Sequence, residues 1–246
     1  MRKITVLIYY SLLFSEMFIP NNEASINYTH VFFRWPQIGN SIEYQFNVFL
    51  DNSEQIYSDT TQGNSFLLKE FFDWDNSYTW QICSIYSDYD SCHPSKSFSI
   101  NSLPEIHTNN ITIITLNDSL YQEGINILDF ESLGYSLAVN RYGEPIWYAN
   151  QDNFDDSKII SAELLDNGNF TGFAEGTGYE FTIDSDIIFQ TPEEYSVHHQ
   201  ISKTNSGTYF IIHAEIEYHP CPIECDPQFS YLPIPWQGDK YIELNK

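Results

Sequence analysis

A repeat of short strands and tight turns constrains this chain more than any other feature of its sequence. Leu164-Leu165-Asp166-Asn167-Gly168-Asn169-Phe170 aligns with Ser202-Lys203-Thr204-Asn205-Ser206-Gly207-Thr208-Tyr209 once one residue is inserted at the turn, and Gly168 and Gly207 stand 39 residues apart. A second repeat interleaves with the first. Ser136 to Asn140, a turn at Tyr142-Gly143, and Glu144 to Tyr148 recur as Glu180 to Asp184, a turn, and Asp186 to Phe189; the unit begins again at Lys240 to Asn245. Asn140 and Asp184 are 44 residues apart, and Asn245 follows after 61 because a Pro- and Cys-rich stretch, Glu217 to Gln237, intervenes. Strand-and-turn units of roughly 40–45 residues are the mark of propeller blades. One complete blade is expected with strands at about 158–165, 169–174, 179–184 and 186–190, and a following one with strands at 197–203, 208–214 and 240–245. The fold class expected is therefore all-β, with an incomplete β-propeller of about two blades out of six. The chain reads as the N-terminal part of a longer gene product, because a fourth strand of the second blade would fall after Lys246.

The first hundred residues have a different rhythm. Val31 to Trp35, Glu43 to Leu50, Ser77 to Cys83 and Lys96 to Ile100 alternate apolar and polar residues between Gly, Asn and Asp turns, which indicates an antiparallel β-sandwich. With Trp35, Tyr44 and Tyr78-Thr79-Trp80 at their positions, this segment resembles a fibronectin type III module, and the resemblance puts Tyr78 in the tyrosine-corner place. Expected boundaries are 1–20 for a signal peptide or N-terminal anchor, 26–103 for the sandwich, 104–131 for a linker with a first propeller strand, and 132–246 for the partial propeller. No helix longer than about three turns is expected beyond the N-terminal segment.

Charge narrows the partners. The 34 acidic against 10 basic residues give a net charge of −24, which disfavours a grip on nucleic acid phosphates or adhesion to anionic lipid. Met1-Arg2-Lys3 followed by the apolar run Ile4 to Phe14 suits a secretory signal and is short for a membrane span, so a secreted or periplasmic location is expected. An uncleaved anchor remains the alternative, as no clear small-residue cleavage site follows. Cys83 with Cys92, and Cys221 with Cys225, form two local pairs that fit disulfides in an oxidising compartment. A zinc site near Cys221, Cys225, His213 and His219 is a weaker reading, because the spacing matches no familiar finger; no metal and no cofactor are expected.

His198 and His199 open a strand and are the candidate catalytic residues, since imidazole can attack, accept or relay a proton near neutral pH. Alternation along a strand sends neighbouring side chains to opposite faces, so at most one of the two is expected to point inward. Gly134 to Tyr148, Leu164 to Asn169, Val197 to Tyr209 with its His-His pair, and Trp236 to Glu243 together resemble the bacterial arylsulfotransferases, over about Gly134 to Lys246.

That resemblance implies an N-terminal sandwich, a six-bladed propeller, and transfer of a sulfuryl group from a phenolic sulfate ester to a phenol. A histidine attacks sulfur, the S–O bond breaks with departure of a phenoxide, and the sulfo-histidine is discharged to the acceptor phenol. His198 and His199 match the family's early His-His motif, whereas Gln200 stands where the family usually has an acidic residue. The nucleophile and anion clamp of later blades have no counterpart before Lys246, and the chain alone is expected to be inactive. Tyr179 and Trp236, with Trp147, are candidates to line an aromatic-binding channel, although aromatics at such places more often pack blades. Small phenolic donors and acceptors are the expected partners, and homo-oligomerisation stays open. The competing class is a secreted, non-catalytic binding or adhesion protein, which the acidic charge and the three arginines favour.

Overall fold

The computed structural model describes residues 18–50, 54–104, 117, 119–120, 122, 124–130, 135–154, 159–220 and 233–246. These residues are all-β, arranged in several sheets of which none closes into a barrel, and among them there is no α-helix. No helix among them is long and apolar enough to cross a membrane. The signal-like run to Phe14 and the Cys221–Cys225 pair lie outside the described residues. The chain divides into two units: residues up to Ser25 with His30–Ile100, and Ile26–Thr29 with Asn101–Lys246.

The first unit contains β1 (Ala24–Ile26), β2 (Val31–Arg34), β3 (Glu43–Leu50), β4 (Glu54–Thr61), β5 (Ser65–Leu68), β6 (Asn76–Ile85), β7 (Asp90–Cys92) and β8 (Lys96–Ile100). One sheet runs in the order β1-β8-β6-β3-β4 with β7 added on β6, and the other is the pair β2-β5. Period-two alternation explains how they pack. Val31 and Phe33 of β2 are buried while Phe32 and Arg34 are exposed, so one face of the small sheet is apolar. Phe33 meets Phe46, Trp80 and Phe98 of the large sheet at ring separations of 4.8, 5.3 and 5.8 Å. The two sheets therefore share a core built from tilted and edge-on aromatic pairs, each of which adds about 0.5–1.5 kcal/mol beyond the area it buries. Cys83 and Cys92, directly opposite in the β6–β7 register, form the disulfide expected of them.

The second unit holds three sheets. β9 (Asn126–Phe130), β10 (Tyr135–Val139) and β11 (Pro145–Tyr148) form a sheet in the order β11-β10-β9. Residues 27–29 run along its β11 edge, where Thr29 N donates to Ile146 O at 2.9 Å and Tyr148 N donates to Asn27 O at 3.2 Å. A 3-10 turn at Gln151–Phe154 leads to β12 (Ile160–Leu164), β13 (Phe170–Ala174), β14 (Thr177–Phe181) and β15 (Ile187–Gln190), an antiparallel sheet in consecutive order. β16 (Val197–Lys203), β17 (Tyr209–Pro220) and β18 (Pro233–Leu244) make the third.

The aligned turns are the same structure twice. Leu165 N donates to Asn169 O at 2.8 Å and Thr204 N donates to Thr208 O at 2.8 Å, and Gly168 and Gly207 close the turns at φ of 85° and 86°, where a side chain would be strained. Aromatic joints between sheets repeat as well. Trp147 of β11 stacks on Phe170 at 4.4 Å, and Phe189 of β15 stacks on Tyr209 at 3.8 Å; Phe170 and Tyr209 each open the second strand of their sheet.

One boundary differs from the sequence reading. The stretch taken as an insertion, Glu217 to Gln237, is strand over much of its described length, with Glu217 opposite Trp236, Tyr218 opposite Pro235 and Pro220 opposite Pro233. Prolines signal loops because they lack a ladder donor, but β16 stops pairing at Val197–His213, so beyond it the ribbon has two strands whose outer edges, among the described residues, pair with no third strand and tolerate proline.

Close approach of the second and third sheets depends on Gly178. A Cβ there would meet Ile201 Cδ1 at 2.9 Å and Thr191 Cγ2 at 3.1 Å, and Ile201 belongs to the buried cluster of Val197, Tyr209, Ile211 and Leu244. Gly178→Val is expected to cost about 2–3 kcal/mol through overpacking, read as a lowered urea midpoint. Gly178→Ala should cost less, because Ile201 Cδ1 is the movable end of its side chain.

Candidate functional site

The start of β16 departs from regular pairing at the histidine pair. Val197 faces His213, but the next paired positions are Ile201 and Ile211, so β16 spends four steps where β17 spends two. The bulge holds His198, His199 and Gln200, and His199 adopts the left-handed conformation with φ of 67°. That residue breaks the alternation expected from sequence. Instead of opposite faces, the two imidazoles stand side by side, with centroids 4.6 Å apart and planes at 63°. A left-handed residue turns the chain so that these neighbours share a side.

The two rings differ in surroundings. His199 is exposed, and His198 is partly buried, with Nε2 shielded from solvent and 3.0 Å from Asp239 Oδ1 but outside hydrogen-bond geometry. Asp239 reaches this position from β18. In the β17–β18 register it lies opposite Ala214, whose N–H donates to Ser196 O at 2.9 Å. Gln200 turns away into its own strand, donating from Nε2 to Ser202 Oγ at 3.0 Å.

The other candidates are not joined to this pair. Tyr179 is buried, edge-on to Phe154 at 5.1 Å, which makes it a packing residue with no face open to a ligand. Trp147 is likewise buried and donates from Nε1 to Ile183 O at 2.8 Å. Trp236 is half exposed, lies opposite Glu217 and meets His219 edge-on at 6.2 Å; three residues from Asp239 on one strand, it belongs to the other face. His213 accepts from Ser196 N through Nδ1 at 2.9 Å, and His219 contacts Glu217 at 2.9 Å. Among the described residues no group of three or more metal-binding side chains forms.

A polar centre that sequence reading passed over lies between the second and third sheets. Glu180 is fully buried, yet its carboxylate receives Lys203 Nζ at 2.6 Å, Asn169 Nδ2 at 2.6 Å, Asn167 Nδ2 at 3.4 Å and the Tyr209 hydroxyl. Burial by itself would raise the carboxyl, but hydrogen bonds from Lys203, Tyr209, Asn169 and Asn167 outweigh it and bring it down to about 2. Tyr209 is pushed well above the ordinary phenol value by burial and by the same carboxylate. Nothing in Tyr179-Glu180-Phe181 singles out Glu180, because the residues that close over it come from a neighbouring sheet and from the turn before β13. Beside it a pocket of about 340 Å³ lies between the repeated turns, lined among others by Glu163, Asp166, Asn167, Lys203 and Asn205. Lys203, its cationic side chain, already serves Glu180, so the pocket offers an anion little.

No protein-family model matches the chain, and no curated protein matches it in sequence.

Proposed function

We propose that the chain contributes the histidine pair of a sulfuryl-transfer site, in a secreted protein whose first unit is fibronectin type III-like and whose later sheets are propeller blades. Support for the architecture comes from particular features. The Tyr78 hydroxyl accepts from Asp73 N at 2.9 Å, in the manner of a tyrosine corner, and β12 to β15 form a four-stranded antiparallel sheet in consecutive order, as a blade does. The Cys83–Cys92 disulfide fits an oxidising compartment.

The observation that carries the functional reading is the β16 bulge, which places two imidazoles side by side and leaves His199 open to a ligand. Holding a non-glycine residue in the left-handed region costs of order 1–3 kcal/mol, a strain found most often at functional sites. In the transfer reaction a histidine nitrogen bonds to sulfur as the S–O bond to the donor breaks, and the sulfo-histidine passes the group to the acceptor oxygen; His199 gives a hydrogen bond to the departing phenoxide and takes the proton from the acceptor phenol. A chromogenic aryl sulfate tests this: the natural protein should release phenoxide in proportion to added phenol, and no release at any phenol concentration would refute the reading.

A second reading rests on the β17–β18 ribbon, one face of which carries Tyr218 and Tyr241, 68 and 75% exposed. Exposed rings on a rigid ribbon suit stacking against sugar faces, as a polysaccharide-binding surface would require. Retention on immobilised polysaccharide, abolished by Tyr241→Ala or Tyr218→Ala and unaffected by changes at His199, would favour this reading over the enzyme.

A further inference from the structure

We propose that the outer face of the third sheet is the seat of a further antiparallel sheet of the same repeat, one that brings a lysine or arginine to Glu243 as Lys203 is brought to Glu180. The two glutamates hold one place in the repeat. Glu180 lies opposite Thr171 and Glu243 opposite Phe210, while the next residues, Phe181 and Leu244, lie opposite Phe170 and Tyr209. Asn169 Nδ2 donates to Glu180 Oε1 at 2.6 Å, and Thr208, 39 residues further on like the turn glycine, donates from Oγ1 to Glu243 Oε1 at 2.7 Å.

Burial is what differs. Thr171 and Glu180 are buried, because the third sheet covers them and supplies Lys203 and the Tyr209 hydroxyl. Phe210 and Glu243 are exposed, and among the described residues no cation meets Glu243. Alternation puts Ile216 and Tyr218 of β17 and Tyr241 of β18, all exposed, on that same face. Apolar groups gathered around a carboxylate fit a cover that is apolar and cationic together. Spacing narrows it further. Lys203 ends the first strand of its sheet and Tyr209 opens the second, so the incoming sheet carries its cation six residues before an aromatic. A second copy of this chain cannot offer that pair, since its own Lys203 and Tyr209 are engaged by Glu180.

The docking rests on the sheet repeat within the proposed function and on no step at the histidines. Hydroxyl-radical footprinting of the natural protein tests it. Phe210 and Tyr241 should be oxidised as slowly as buried Tyr209, at every protein concentration, while exposed Tyr89 and Tyr142 react fast. Glu243→Lys, which sets like charges against each other, should restore fast oxidation of Phe210 and Tyr241, and Glu243→Gln should restore part of it. In each variant continued protection of Tyr209 reports a folded third sheet. Fast oxidation of Phe210 and Tyr241 in the wild type would overturn the proposal. Protection that vanishes on dilution, the mark of a second copy, or that arises only with added polysaccharide, the mark of a sugar surface, would overturn it as well. So would protection that survives both substitutions, since no cation would then be held by Glu243. Because the footprint is read without substrate, failure of sulfuryl transfer would refute the reaction at the histidines and leave this docking standing.

Discussion

In the natural protein, replacing His199 by alanine is expected to lower phenol-dependent sulfuryl transfer by about 10²–10³-fold, the usual loss when one preorganised donor or proton carrier at a reacting oxygen is removed. Stability should not fall with it. His199 is exposed and holds a φ of 67°, so its side chain contributes little packing and its backbone carries strain. Glycine relieves that strain: His199→Gly should unfold at higher urea than the wild type, by about 1 kcal/mol, while being as inactive as the alanine variant. This opposite movement of stability and activity separates a functional strained residue from an incidental one. Full activity in both His198→Ala and His199→Ala would remove the pair from the reaction.

The largest stability effect is expected at Lys203. Lys203→Met leaves the Glu180 carboxylate buried without its cation, and removal of one partner from a buried pair costs about 3–5 kcal/mol, a large share of a typical domain's stability. Glu180 keeps three hydrogen-bond donors in that variant, which places the expectation near the lower figure. The double variant Glu180→Met with Lys203→Met should recover much of the loss, because an apolar pair removes the stranded charge. Acid reports on the same group. In the folded chain the carboxyl sits at about 2, below its ordinary 4.5, so its contribution is complete above about pH 4.5 and is lost as pH falls through about 2. The gap between wild type and Lys203→Met in urea denaturation should therefore narrow from pH 7 to pH 3. A gap of constant size would mean that Glu180 does not carry the effect.

Much of the fold was legible because period-two alternation and glycine turns are local signals. The strands around Phe33, Phe46 and Trp80 and the turns at Gly168 and Gly207 follow from spacing alone. Non-local features were hidden. Proline at 220, 233 and 235 read as loop, although a two-stranded ribbon with free edges accommodates it. Glu180 went unremarked, because nothing in Tyr179-Glu180-Phe181 announces that Lys203, 23 residues later, closes over it. The histidine pair was visible, but its geometry was not: one left-handed residue reversed the rule that neighbours face apart. Asp239, 41 positions beyond His198, could be joined to it only through the register of three strands.

The most direct test of the histidine pair as a ligand-facing site is a titration of the protein with an aryl sulfate, followed through the imidazole resonances of all its histidines. Saturable shifts concentrated on His199 and His198, with His30, His93, His107, His213 and His219 unmoved, are the predicted result. Saturable binding that leaves both His198 and His199 unperturbed would contradict the account.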